Sequence, residues 1–83
     1  MTAKTLLIID DSVDEHHHYR RALRDSGFVL VAELTAGAGL EKACQTVFDL
    51  VLLDYNLPDM NGLEFIDRLS QMADALPPVV MLT

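Results

Sequence analysis

The sequence predicts an α/β fold, an open doubly wound parallel sheet formed by a single domain over residues 1–83. Three observations carry this. Four short apolar runs recur along the chain, at TLLIID, FVLVAEL, DLVLLD and VVMLT. The runs are largely continuous in apolar residues, the pattern of strands buried on both faces. Segments of helical periodicity separate them, and helices that join successive buried strands require parallel pairing with right-handed crossovers.

The elements follow in order. TLLIID is the first strand. In SVDEHHHYRRALRDSG, Ser12 is placed as N-cap with Glu15 three residues on, a capping-box spacing, and Gly27 as the stop. The inward stripe of this helix is expected through Ala22 and Leu23, with His18 and Tyr19 partly inside and His16 and His17 outside. FVLVAEL is the second strand. AGAGLEKACQTV sets Leu40, Ala43, Cys44 and Val47 at helical spacing. DLVLLD is the third strand. NGLEFIDRLSQMADAL places Leu63, Ile66, Leu69 and Ala73 on one face, flanked by Phe65 and Met72, and Pro77 and Pro78 end it. VVMLT is the fourth strand.

Composition limits the function. A formal net charge of −7 disfavours a nucleic-acid or anionic-membrane surface. The basic cluster Arg20, Arg21 and Arg24 fits the solvated face of a helix. The single cysteine, Cys44, has no partner for an intramolecular disulfide and is expected as a small hydrophobe on its helix. With no apolar stretch near the ~18 residues of a membrane span, the expectation is a soluble, cytoplasmic protein.

In doubly wound sheets, ligands gather at the carboxyl ends of the strands, where the winding reverses. The polar residues at those ends are Asp10 and Asp11, Asp54, and Thr83. Carboxylates gathered at one sheet edge oppose one another's ionisation unless a cation sits between them. Mg²⁺ takes oxygen ligands and is commonly held by one or two carboxylates together with phosphate oxygens. Asp10, Asp11 and Asp54 therefore read as a Mg²⁺ site awaiting a phosphoryl group, to which Thr83 can donate a hydrogen bond. Asp10 and Asp11 alone could equally serve the N-terminus of the first helix. Asp54 ends a strand that is otherwise apolar after Asp49, and that alternative does not explain it.

LLIIDDS, LVLLDYNLPDMNG and VVMLT, in this order and at these separations, resemble the receiver domain of bacterial two-component response regulators, which has a flavodoxin-like fold. The resemblance implies that Asp54 accepts a phosphoryl group from a histidine kinase or a phosphotransfer protein. It implies that Asp11, Asp54 and the backbone carbonyl of Asn56 ligate Mg²⁺, while Asp10 acts through water. Thr83 would be the switch hydroxyl. The chain would be a phosphoacceptor that takes part in its own phosphorylation and dephosphorylation, not an enzyme with a separate substrate. Pro58, by fixing φ, and Gly62, by permissive backbone geometry, would be scaffold of the site loop.

The resemblance also implies a fifth strand bearing a lysine. Lys4 starts the first strand and Lys42 lies on the second helix, so neither stands in for it. The expectation is that the sequence is part of a longer receiver, with the fourth strand otherwise an edge open to self-association. Two alternatives compete. A haloacid-dehalogenase-like phosphohydrolase also pairs a strand ending in Asp with a later one ending in Thr or Ser. That family wants a second Asp two residues after the nucleophile, where this chain has Ser12 or Val13. A degenerate receiver acting only as a protein-binding module is the other. His16, His17 and His18 do not form a metal site, since consecutive helical side chains point about 100° apart.

Overall fold

The computed structural model describes residues 3–73 and 75–82. Four strands, β1 (Lys4–Ile9), β2 (Phe28–Glu33), β3 (Leu50–Asp54) and β4 (Val79–Leu82), alternate with helices α1 (Val13–Ala22), α2 (Ala36–Gln45) and α3 (Gly62–Met72). The sheet is parallel with strand order β2-β1-β3-β4. This is the α/β doubly wound arrangement that the alternating pattern predicts. The chain moves from β1 to β2 on one side, then crosses back to β3 on the other. The winding therefore reverses between the carboxyl ends of β1 and β3.

The main core fills the face covered by α2 and α3. Leu7 and Ile9 of β1, Val51 and Leu53 of β3, Leu40 of α2, and Phe65 and Leu69 of α3 are buried together with Phe48 and Leu57. Right-handed crossovers put α1 on the opposite face. That face is less fully covered: Leu6 and Ile8 are buried, Leu50 and Leu52 are half-buried, and Val80 is 46% exposed. The apolar runs of β3 and β4 are thus not buried on both faces. Among the described residues no helix lies over Val80 as α2 and α3 lie over Leu53. β4 occupies one edge of the sheet.

Each helix opens on a side-chain cap. Ser12 accepts from the Glu15 N–H, Thr35 from Ala38 and Asn61 from Glu64, so each supplies an acceptor to a helix start that lacks one. α1 stops at Ala22, short of Gly27. Ser26 ends it by donating its hydroxyl to the Leu23 carbonyl at 2.7 Å and accepting the Phe28 N–H at 3.2 Å. Gly27 then takes φ +86°, a left-handed turn into β2 that suits glycine.

Helical phase is where the structure departs furthest from the sequence reading. In α1 the inward positions are His16, Tyr19 and Leu23, whereas His18 and Ala22 face outward. In α2 the buried face runs through Ala36, Gly39 and Leu40, leaving Cys44 exposed and Val47 91% exposed. In α3 Phe65 is central rather than flanking, while Leu63 is 59% exposed. The cause in α2 is Gly39. A Cβ there would lie 2.3 Å from Cδ1 and 2.7 Å from Cγ1 of Ile9, so the missing side chain lets the helix approach β1. The glycine, not the next apolar residue, sets the rotation.

Gly39→Ala should destabilise the domain, because overpacking costs about 1–3 kcal/mol. At most about 1 kcal/mol returns through the helix propensity of alanine. Thermal unfolding followed by circular dichroism should show a lower Tm, by roughly 4–8 °C for each net kcal/mol. An unchanged or raised Tm would contradict the close approach of α2 to β1.

Candidate functional site

Parallel pairing assembles the site. Ile9 is registered against Leu53, so the residues that follow each of them, Asp10 and Asp54, emerge side by side at the switch point. Asp10, Asp11 and Asp54 bring one carboxylate oxygen each to within 4.8 Å of one another. Asp10 is buried, Asp54 half-buried and Asp11 exposed, so the cluster opens to solvent on the Asp11 side.

Local hydrogen bonds aim these groups. The Asp10 N–H donates to the Glu33 carbonyl at 3.1 Å, continuing the β1–β2 ladder. Oδ1 of Asp10 accepts the Ser12 N–H at 2.9 Å, and Oδ1 of Asp54 accepts the Asn56 N–H at 3.3 Å. The Tyr55 N–H donates to the Leu82 carbonyl at 3.0 Å and the Gly62 N–H to the Tyr55 carbonyl at 3.0 Å, which ties the loop after Asp54 to β4 and α3. Asn56, expected to offer its carbonyl, lies in this loop and bridges to Asn61. Pro58 is exposed in the same loop. Thr83 lies outside the described residues.

Gly62 serves the site loop in a different way from that expected. Its backbone is helical with no positive φ. A Cβ there would stand 2.7 Å from the Met81 sulfur and 3.3 Å from the Tyr55 ring. It is needed for space, so that the start of α3 can pass β4.

Two residues were missed, one beside the cluster and one in the loop that follows Asp54. His16, expected outside, is buried, and its Nε2 lies 2.7 Å from the Asp10 carbonyl oxygen. Anchoring the helical phase on Tyr19 and Leu23 would have found it, since 16, 19 and 23 share one face. Asp59, inside the LPDMNG stretch, accepts from the Ala36 N–H at 3.0 Å and the Gly37 N–H at 2.8 Å, docking the site loop on the start of α2. No spacing rule reveals this bond, whose ends are 22 and 23 residues apart.

Two ionisable groups report the local field. Burial pushes the Tyr19 phenol above its ordinary value, and the charges of Glu15, Asp10 and Asp54 push it the same way. Tyr19 therefore lies within electrostatic reach of the cluster. Burial alone would raise Asp59, but the Gly37 and Ala36 N–H groups and the Arg68 charge outweigh it and hold the carboxyl below its ordinary range.

Three carboxylates with no lysine or arginine in ion-pair contact, among the described residues, form a strongly negative pocket made only of oxygen donors. That donor set suits a hard divalent cation such as Mg²⁺.

An acidic cluster at the switch point of a doubly wound parallel sheet defines a small class of α/β ligand-binding domains. Comparison with known proteins specifies which. The response regulator receiver domain profile matches residues 6–83, and the chain belongs to that family. It is 33% identical over 78 residues to the probable transcriptional regulatory protein SilR of Salmonella typhimurium, covering 94% of this chain and 34% of that protein. It is 36% identical over 76 residues to the KDP operon transcriptional regulatory protein KdpE of Escherichia coli K12, covering 92% and 33%. The chain thus spans about a third of the length of these relatives. Among solved structures, chemotaxis protein CheY4 of Vibrio cholerae superposes with a TM-score of 0.85 at 27% identity, covering 96% of this chain and 68% of that one. A CheY-like receiver domain of Methanospirillum hungatei gives 0.86 at 30% identity, covering 96% and 63%. Receiver domains of two-component systems work with histidine kinases or phosphotransfer proteins. The match includes Asp54 and the LPDMNG loop, which the phosphohydrolase alternative leaves without a role.

The lowered Asp59 pKa has a consequence for stability. A carboxyl whose folded pKa lies below its unfolded value stabilises the fold above the unfolded pKa and loses that contribution as pH falls through the folded one. Asp59→Asn should therefore lower Tm at pH 7, by the few degrees that about 1 kcal/mol represents in a domain of this size. The difference from wild type should shrink as pH falls below about 4. A constant gap from pH 7 to pH 2 would contradict the charge-assisted docking of Asp59 on α2.

Proposed function

We propose that this chain is the phosphoacceptor of a two-component system, receiving a phosphoryl group on Asp54 from a histidine kinase or phosphotransfer protein in the cytoplasm. The observation that supports this most is the convergence of Asp10, Asp11 and Asp54 oxygens within 4.8 Å at the sheet switch point. In this reading an Asp54 carboxylate oxygen attacks the phosphorus of a phosphohistidine. A P–O bond to Asp54 forms, the P–N bond breaks, and the departing imidazole nitrogen takes up a proton.

Asp11, Asp54 and the Asn56 carbonyl would hold Mg²⁺ directly, with Asp10 acting through water. When bound, the ion supplies charge neutralisation for the phosphoryl oxygens, without which a carboxylate is a poor nucleophile toward phosphorus. The Ser12 and Asn56 N–H groups each engage one oxygen, Oδ1, of the Asp10 and Asp54 carboxylates and so help to orient them. Tyr55 and Gly62 hold the loop beneath. Thr83 is assigned the switch hydroxyl on the strength of the family pattern.

Incubation of the full-length protein with Mg²⁺ and acetyl phosphate should add one phosphoryl group, seen by intact mass, and Asp54→Asn should abolish the gain. Labelling that persists in Asp54→Asn, or that maps to Asp10, would overturn the assignment. A chain that takes up no phosphate and has no affinity for Mg²⁺ would instead be the binding module.

A further inference from the structure

Asp10 is fixed at all three of its polar connections. Its N–H is bound to Glu33, its carboxylate Oδ1 to the Ser12 N–H, and its carbonyl oxygen to His16 Nε2 at 2.7 Å in a buried setting. A carbonyl oxygen only accepts, so Nε2 must carry the hydrogen. The contact brings a buried imidazole against the backbone of the acidic doublet, and the phosphoacceptor chemistry itself makes no use of it.

The consequence falls on the next residue. The Asp10–Asp11 peptide is planar, so fixing the direction of the Asp10 carbonyl fixes the plane from which Asp11 departs. Asp11 is exposed, and among the described residues no side-chain hydrogen bond holds its carboxylate. Its aim toward Asp10 and Asp54 is therefore set by its backbone. We infer that His16 is a positioning residue for divalent-cation binding: it clamps the Asp10 carbonyl and so preorients the Asp11 carboxylate. The inference rests on the phosphoacceptor reading of the acidic cluster.

An apolar ring at position 16 would keep the volume and remove the donor. A glutamine would offer an amide N–H at nearly the reach of Nε2. Mn²⁺, a Mg²⁺ substitute visible by electron paramagnetic resonance, gives the affinity directly, and circular dichroism confirms folding of each variant. His16→Phe should weaken Mn²⁺ binding on the order of 10-fold or more, the usual scale for outer-shell partners of metal ligands. His16→Gln should restore most of it. Equal affinity in His16→Phe and wild type, or a folded His16→Gln as weak as His16→Phe, would overturn the inference.

The wild-type protein provides an arm that does not depend on variant folding. Long-range ¹H–¹⁵N spectra should show the hydrogen of His16 on Nε2, with that nitrogen shifting on Mg²⁺ addition at the same midpoint as the Asp54 amide. A hydrogen on Nδ1 alone, or an Nε2 signal unmoved while the Asp54 amide shifts, would overturn it. Wild-type protein that binds neither ion would instead defeat the phosphoacceptor reading beneath it.

Discussion

The parallel pairing of β1 with β3 forces negative charges together, and the surroundings of the site are arranged around that constraint. With Ile9 opposite Leu53, Asp10 and Asp54 leave the sheet as neighbours, and Asp11 follows into the same 4.8 Å cluster. Four apolar residues in β1, Leu6 to Ile9, are buried, so this strand cannot slip without exposing its core face. The repulsion at the strand ends is thus imposed by burial elsewhere. The fold holds three carboxylates together at the carboxyl ends of β1 and β3.

Among the described residues, the groups hydrogen-bonded to the cluster are backbone dipoles, not positive side chains. Ser12 and Asn56 offer backbone N–H groups to Asp10 and Asp54, and the first turn of α1 begins immediately after the doublet. Such groups orient carboxylates without neutralising them, so the cluster keeps its negative charge. Asp59 uses the same device for another purpose. Its carboxylate sits on the Ala36 and Gly37 N–H groups at the start of α2 and anchors the loop that follows Asp54. The loop is held at both ends, by Tyr55 against β4 and by Asp59 against α2, so Asp54 projects from a braced segment.

The strands and the acid cluster were legible in the sequence because both follow from linear pattern. Continuous apolar runs mark strands, though of the four only β1 has its apolar run buried on both faces, and Asp at the end of such a run has no packing explanation. Helical phase was less legible. Leu63, Cys44 and Val47 have the composition of core residues and are exposed, whereas Gly39 and Gly62 face inward because contact with Ile9 and Met81 leaves no room for a side chain. Close backbone approach is a tertiary property, and a glycine shows it only once its neighbour across the interface is known. His16 was hidden because the inward stripe of α1 was set on Ala22 and Leu23, whereas the carbonyl of Asp10, just after β1, makes its burial favourable. The Asp59 contact joins distant segments and has no local signature.

The account stands or falls on whether the cluster between β1 and β3 is where a divalent ion binds. Paramagnetic broadening of backbone amide signals by substoichiometric Mn²⁺ measures this residue by residue. The account predicts loss of signal centred on Asp10 to Ser12 and Asp54 to Asn56, falling away toward α2 and the Lys4 end of β1, and reversed by excess Mg²⁺. Broadening centred on other acids, such as Glu41 or Asp67, or spread evenly over this chain of net charge −7, would contradict it.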